Sequence, residues 1–113
     1  MKTLKYILSS LFVVIIGLNV AAQNTALKTE KIVVSGNCEM CKSRIENAAK
    51  VSGVTKALWD KKSHVLTLVY NPQKIKSTEV QKRITAVGHD TPQFKADSKT
   101  YNSLPDCCKY ERK

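Results

Sequence analysis

The chain has 113 residues, four of them cysteine, and its 19 lysines and arginines against nine acids give a net charge of +10. Once an export signal is set aside, that length leaves room for one modest domain. The lysines are scattered, with no basic stripe and no nucleic-acid motif, so the charge reads as a solvated surface and nucleic acid is not an expected partner.

Residues 1–22 read as an export signal. Met1 to Lys5 carries two lysines and no acid, Tyr6 to Val20 is mostly apolar, and Val20-Ala21-Ala22 offers small residues before Gln23. Cleavage after Ala22 is expected, because the apolar run is shorter than the ~20 residues of a membrane span; an uncleaved anchor is the alternative. Losing Lys2 and Lys5 would leave a charge of +8. The expected location is periplasmic or secreted, with no stable membrane insertion afterwards.

Residues 23–29 are polar and read as a flexible leader. Lys31 to Ser35 reads as a strand with Ile32 and Val34 on one face, broken by Gly36-Asn37. Cys41, Ile45, Ala48 and Ala49 then fall at helical spacing up to about Lys50. Val54 to Trp59 and Val65 to Tyr70 form a hairpin across Asp60-Lys61-Lys62-Ser63, with Leu66, Leu68 and Tyr70 on one face. A second helix is predicted from about Ser77, with Thr78 and Gln81 as a capping box and Val80, Ile84 and Val87 as its stripe, stopped by Gly88. Thr91 to Ala96 reads as a last strand, confined to an edge or to its first residues by Pro92. Residues 97–113 lack periodicity and read as a tail. The order predicts an α+β, ferredoxin-like βαββαβ sandwich over residues 30–96, an antiparallel sheet with both helices on one face.

The cysteines come as two tight pairs, Cys38/Cys41 and Cys107/Cys108. Cys38-Glu39-Met40-Cys41 lies between the first strand and first helix, where unpaired N–H groups and the helix dipole favour thiolate. Lys42 and Arg44 add positive charge. Two thiolates converging on one ion suit a soft cation such as Cu(I), or Zn(II). The pair alone also fits a thiol–disulfide redox protein, a structural zinc site completed by Cys107 and Cys108, or inert disulfides in an oxidising compartment. No nucleophile–base constellation is present, so catalysis is not expected.

The sequence resembles the heavy-metal-associated domain family of copper chaperones, the amino-terminal domains of copper-transporting ATPases and periplasmic mercury-binding proteins. The resemblance is carried by Val33-Val34-Ser35-Gly36, Cys38-Glu39-Met40-Cys41, Lys42-Ser43-Arg44-Ile45-Glu46, Gly53-Val54, the run Leu66 to Pro72, and Ile84-Thr85-Ala86-Val87-Gly88. It implies one Cu(I), or Hg(II) or Zn(II), held by Cys38 and Cys41. It also implies transfer by ligand exchange to a metal-transporting membrane protein or another metal-binding domain, with the carrier monomeric when free.

Three features depart from the family pattern. Gly36 stands where the family commonly has a Met packed beneath the loop, and Met40 is the nearby Met, expected to pack or lie at the surface. His89, after the second helix, is a candidate third ligand; the alternative is an ordinary histidine at a helix end. Cys107 and Cys108 lie in a tail that minimal members lack, as extra ligands, disulfide partners or bystanders. His64 reads as a surface residue, Trp59 as a core residue, and Asp60 and Asp90 as turn caps.

Overall fold

A computed structural model describes residues 26–113, so the expected signal and the first residues of the leader lie outside it. The elements run β1 (Lys28–Val33), α1 (Glu39–Ala49), β2 (Val54–Trp59), β3 (Val65–Tyr70), α2 (Ser77–Ala86) and α3 (Ser98–Asn102), then a 3-10 turn at Asp106–Cys108. The fold is α+β, with β3 central in an antiparallel sheet of order β1-β3-β2. Alternation in β3 puts Leu66, Leu68 and Tyr70 on the buried face, opposite half-buried Thr67 and Val69. That face meets Ile45 of α1 and Val80 and Ile84 of α2 in one core with Ile32, Ala57 and Trp59.

β1 begins at Lys28, inside the segment expected to be a flexible leader, and pairs with β3 from Lys28↔Tyr70 to Val33↔Val65. Its early residues are polar because it lies at the sheet edge. Glu30 fastens it there, accepting hydrogen bonds from the Tyr70 hydroxyl at 2.7 Å and the Ser77 hydroxyl at 2.6 Å. The bond from Ser77 also bears on the expected capping box, which does not form: α2 starts at Ser77 with Lys76 as its cap residue and no side-chain cap bond. Thr78 therefore lies inside the first turn, two positions past the cap residue, too late to cap it.

The fourth strand expected at Thr91 to Ala96 is replaced by a turn. Ser35 N–H donates to the Asp90 carbonyl at 3.0 Å, a single rung beside the end of β1. The chain then curls, with Thr91 N–H on the Phe94 carbonyl at 2.9 Å and Ala96 N–H on the Asp90 carboxylate at 2.7 Å. Pro92 has no N–H to extend a ladder. Asp90 thus caps a turn as expected, and so does Asp60, which accepts from the N–H groups of Lys62 and Ser63.

The tail is not a loose appendage. Leu104, Cys108 and Tyr110 are buried in the common core. Gly88 (φ 110°) turns the chain after α2, and a Cβ there would come within 2.9 Å of a Leu104 methyl, so the glycine is needed for both turn and contact. The Tyr110 hydroxyl donates to the Gly88 carbonyl at 2.8 Å and accepts from Asp90 N–H at 3.0 Å. Arg112 forks onto the Asp90 carboxylate at 2.9 and 3.1 Å, with its guanidinium 4.8 Å from the Tyr101 ring centre.

Candidate metal centre

The site forms where β1 hands over to α1. Cys38 is the extended residue at the N-cap of α1, so its sulfur sits at the helix start among the first-turn N–H groups. Cys41 lies one turn in, on the helix face that also buries Ile45 and Ala49. The loop before them is shaped by Trp59. A Cβ on Gly36 would meet the indole at 3.0 Å and the Cys41 Cβ at 3.2 Å, so the ring fills the space a larger side chain would take. The indole N–H is held by the carbonyls of Val34 (3.0 Å) and His64 (3.1 Å). His64, with φ 63°, stacks on that ring at 5.7 Å and is half-buried rather than a bare surface residue.

All four cysteines are free thiols, and the folded tail brings them together. Cys38 Sγ lies 3.3 Å from Cys41 Sγ, 2.8 Å from Cys107 Sγ and 3.3 Å from Cys108 Sγ. The sulfurs of Cys38, Cys41 and Cys108 all lie within 4.8 Å of one another. Cys107 is exposed at the rim, 3.9 Å from Cys108 and 3.7 Å from the Met40 thioether. Met40 itself is exposed. The 69-residue separation of Cys38 and Cys107 is bridged by the tail anchors described above.

The charges in this cluster are unequal. Burial pushes the Cys38 thiol up, but hydrogen bonds from Cys107, the Cys41 backbone N–H and the Cys41 and Cys108 thiols outweigh it and bring it down to about 6. Burial pushes Cys41 up to about 12 and also raises Cys108. Cys107 is raised by its hydrogen bond to the Cys38 sulfur. One negative charge therefore settles on Cys38 and is solvated by its neighbours' S–H groups. A soft cation would displace protons from the sulfurs that bind it and hold them as thiolates. Arg44 points Nη1 at Cys108 Sγ at 3.3 Å and supplies positive charge to the buried side of the cluster.

His89 is not brought into the sulfur set. It is fully buried, stacked on Tyr110 at 5.7 Å, with Nδ1 on the Ser35 carbonyl at 2.8 Å. A carbonyl there requires Nδ1–H, which leaves Nε2 an acceptor, buried and without a partner. Burial lowers its pKa, the Ser35 carbonyl opposes that and Arg44 adds to it, so the ring is neutral at neutral pH. Its place is beneath the loop, tying Ser35 to the tail through Tyr110. The anchors of the tail, Tyr110 and the Asp90–Arg112 pair, were not singled out as site residues from sequence; Asp90 was read only as a turn cap.

No family model matches the chain. It is 32% identical over 76 residues to a zinc-transporting ATPase of Synechocystis sp., a match over 66% of this chain and 10% of that protein's length. The likeness is therefore to one segment of a much larger protein. Among solved structures, the CopZ metallochaperone is 27% identical with a TM-score of 0.55, covering 57% of this chain and 98% of that one. A copper-bound CopA variant from Bacillus subtilis is 26% identical with a TM-score of 0.51, covering 59% and 91%. In the order of its elements, in its fold and in the likeness to these proteins, the chain resembles the heavy-metal-associated domain family, and the resemblance drawn from its motifs stands.

Proposed function

We propose that the chain is an exported, monomeric carrier of soft metal ions, Cu(I) first among them, with Cys38 and Cys41 as the transfer ligands and no catalysis of its own. The observation that carries this reading is the pair of thiols at the start of α1, 3.3 Å apart, with Cys38 drawn down to about 6. A thiolate that is available at neutral pH can capture an ion from a donor without first waiting for a proton to leave. Exchange then proceeds through a shared ion, with an incoming thiolate adding before an outgoing one departs. A recipient with its own cysteine pair suits this chemistry, as in a metal-transporting membrane protein or another metal-binding domain. The pattern of residues 1–22 supports export.

The test is an anaerobic titration of the reduced protein with Cu(I) against a competing chelator, with Zn(II) and Hg(II) in parallel. One Cu(I) bound tightly, and lost in Cys38→Ser, supports the reading; failure to compete, or indifference to Cys38, overturns it. Export is tested by N-terminal sequencing of the protein recovered from its native cells, which should begin at Gln23.

A thiol–disulfide redox role is the second reading, favoured by the 2.8 Å between Cys38 and Cys107 sulfurs. It expects the reduced protein to cleave a disulfide substrate by attack of the Cys38 thiolate, with Cys107 closing the protein disulfide and the substrate leaving as two thiols, in the absence of metal.

A further inference from the structure

We propose that the C-terminal segment supplies a third ligand to the ion, so that Cys38, Cys41 and Cys108 form a trigonal all-sulfur site for Cu(I) with Cys107 at its rim. This rests on the carrier reading above and adds to it a built-in competitor for the transfer step.

Three observations converge. Cys108 is fully buried and held at the site by a folded segment: Tyr110 is hydrogen-bonded on both sides of His89, and Leu104 is seated on Gly88. Its sulfur faces Cys38 at the same 3.3 Å as Cys41 does. Arg44 donates to it at 3.3 Å, which places a permanent cation against the sulfur that would bring the extra negative charge. Three thiolates around Cu(I) carry a net charge of −2, and a buried anion of that size needs such a partner.

The distances favour three sulfurs over two, and the exposed position of Cys107 argues against a fourth. With metal–sulfur bonds of about 2.3 Å, sulfurs sit about 4.6 Å apart across a linear ion, about 4.0 Å in a trigonal plane and about 3.8 Å in a tetrahedron. Starting from 3.3 Å, a trigonal site asks Cys38 to open by about 0.7 Å from each neighbour, roughly half of what a linear site asks of the Cys38–Cys41 pair. A tetrahedron needs Cys107 equidistant from the other three, yet it lies 2.8 Å from Cys38 and 3.9 Å from Cys108, outside the set of Cys38, Cys41 and Cys108 whose sulfurs converge within 4.8 Å. Cys107 instead lies at the surface beside the Met40 thioether, a pairing of thiol and thioether that suits Cu(I) over Zn(II).

Binding releases the thiol protons to solvent and changes no oxidation state, so no electron donor or acceptor is required. Function follows from the coordination number. A two-sulfur ion is open to an incoming partner thiolate, whereas here Cys108 already fills that third position. Release must displace the tail sulfur, which makes this protein slower to give up its ion than a domain with Cys38 and Cys41 alone.

X-ray absorption at the copper edge of the reduced, Cu(I)-loaded protein tests this, together with chelator competition. Three sulfur neighbours are expected in the unsubstituted protein and in Cys107→Ser. Cys108→Ser should retain two, with affinity at least tenfold weaker and faster loss of Cu(I) to chelator. Two sulfurs in the unsubstituted protein, with binding still abolished in Cys38→Ser, would overturn the tail ligand and leave the carrier reading intact. Four sulfurs, falling to three in Cys107→Ser, would also overturn the trigonal site. Binding indifferent to Cys38 would overturn both readings. Three sulfurs in the unsubstituted protein falling to two in Cys107→Ser would overturn Cys108 as the third ligand, so these two counts decide the matter even if Cys108→Ser fails to fold.

Discussion

The two cysteine pairs reach the same place by opposite means. Cys38 and Cys41 are set by local backbone: the end of β1, a glycine packed under Trp59 and the first turn of α1. Cys107 and Cys108 stand in a single 3-10 turn that no long helix or strand supports. What holds them is side-chain contact across the chain, through Tyr110, Leu104 and the Arg112–Asp90 pair. A site on rigid elements keeps its geometry when one contact is lost, whereas a site on a strapped segment depends on the strap. The first pair is therefore the permanent half of the cluster, and the second is the half whose presence can be tuned by its anchors.

Removing the main anchor should break this comparison open. Tyr110→Ala deletes a buried aromatic that also bridges Gly88 and Asp90 by hydrogen bonds. Such truncations cost about 3–5 kcal/mol. If the halves are separable, hydrogen exchange will rise steeply over residues 98–113 and stay slow in β1, β3 and α1. Uniform loss of protection would mean that the tail is integral to the global fold. Cu(I) should still bind the tail-released protein, through Cys38 and Cys41.

A smaller change sharpens the other side. Gly36→Ala places a methyl 3.0 Å from the Trp59 ring and 3.2 Å from the Cys41 Cβ. Overpacking of that kind costs about 1–3 kcal/mol. Here the strain falls on the loop that presents Cys38, so the expected result is weakened Cu(I) binding, with the exchange pattern of the tail unchanged. Trp59 fluorescence reports whether the ring has moved.

How much of this was legible in the sequence follows the same division. β2, β3 and the apolar face of α1 showed themselves because period-2 and helical patterns mark half-buried elements. The Cys38/Cys41 pair followed because its position between a strand and a helix is itself a local signal. The start of β1 was hidden because an edge strand facing solvent has no reason to alternate cleanly: Lys28 and Thr29 read as leader, and the strand was expected only from Lys31, although Lys28 and Thr29 pair with Tyr70 and Val69 and Glu30 is bonded to Tyr70 and Ser77. The segment after Gly88 read as a strand from its composition, and lost to a turn closed by the Asp90 side chain. The tail carried no periodicity because its order comes from three or four long-range contacts, which one-dimensional patterns do not record. Gly36 looked like a missing side chain until Trp59 was found in its place.

The smallest expected effect separates the strap from the loop by pH. Burial pushes the Asp90 carboxyl up, but Arg112, the Ala96 N–H and the Tyr110 hydroxyl outweigh it and hold it below its ordinary 3.8. A carboxyl with a lowered folded pKa contributes stability that is fully present above its unfolded value and is lost as pH falls through the folded one. Arg112→Gln removes the charge partner of a pair with 22% and 12% of its side chains exposed, so the loss at neutral pH should be modest, about 1 kcal/mol. Urea unfolding of both proteins should show a constant gap from about pH 7 down to pH 5, since Asp90 stays ionised there in folded and unfolded chains alike. Below 3.8 the unfolded chain takes up the proton first, and the unsubstituted protein loses its advantage until the two midpoints meet. A gap that persisted undiminished in acid would show that Arg112 stabilises the tail through its packing on Tyr101, 4.8 Å away, rather than through the carboxylate.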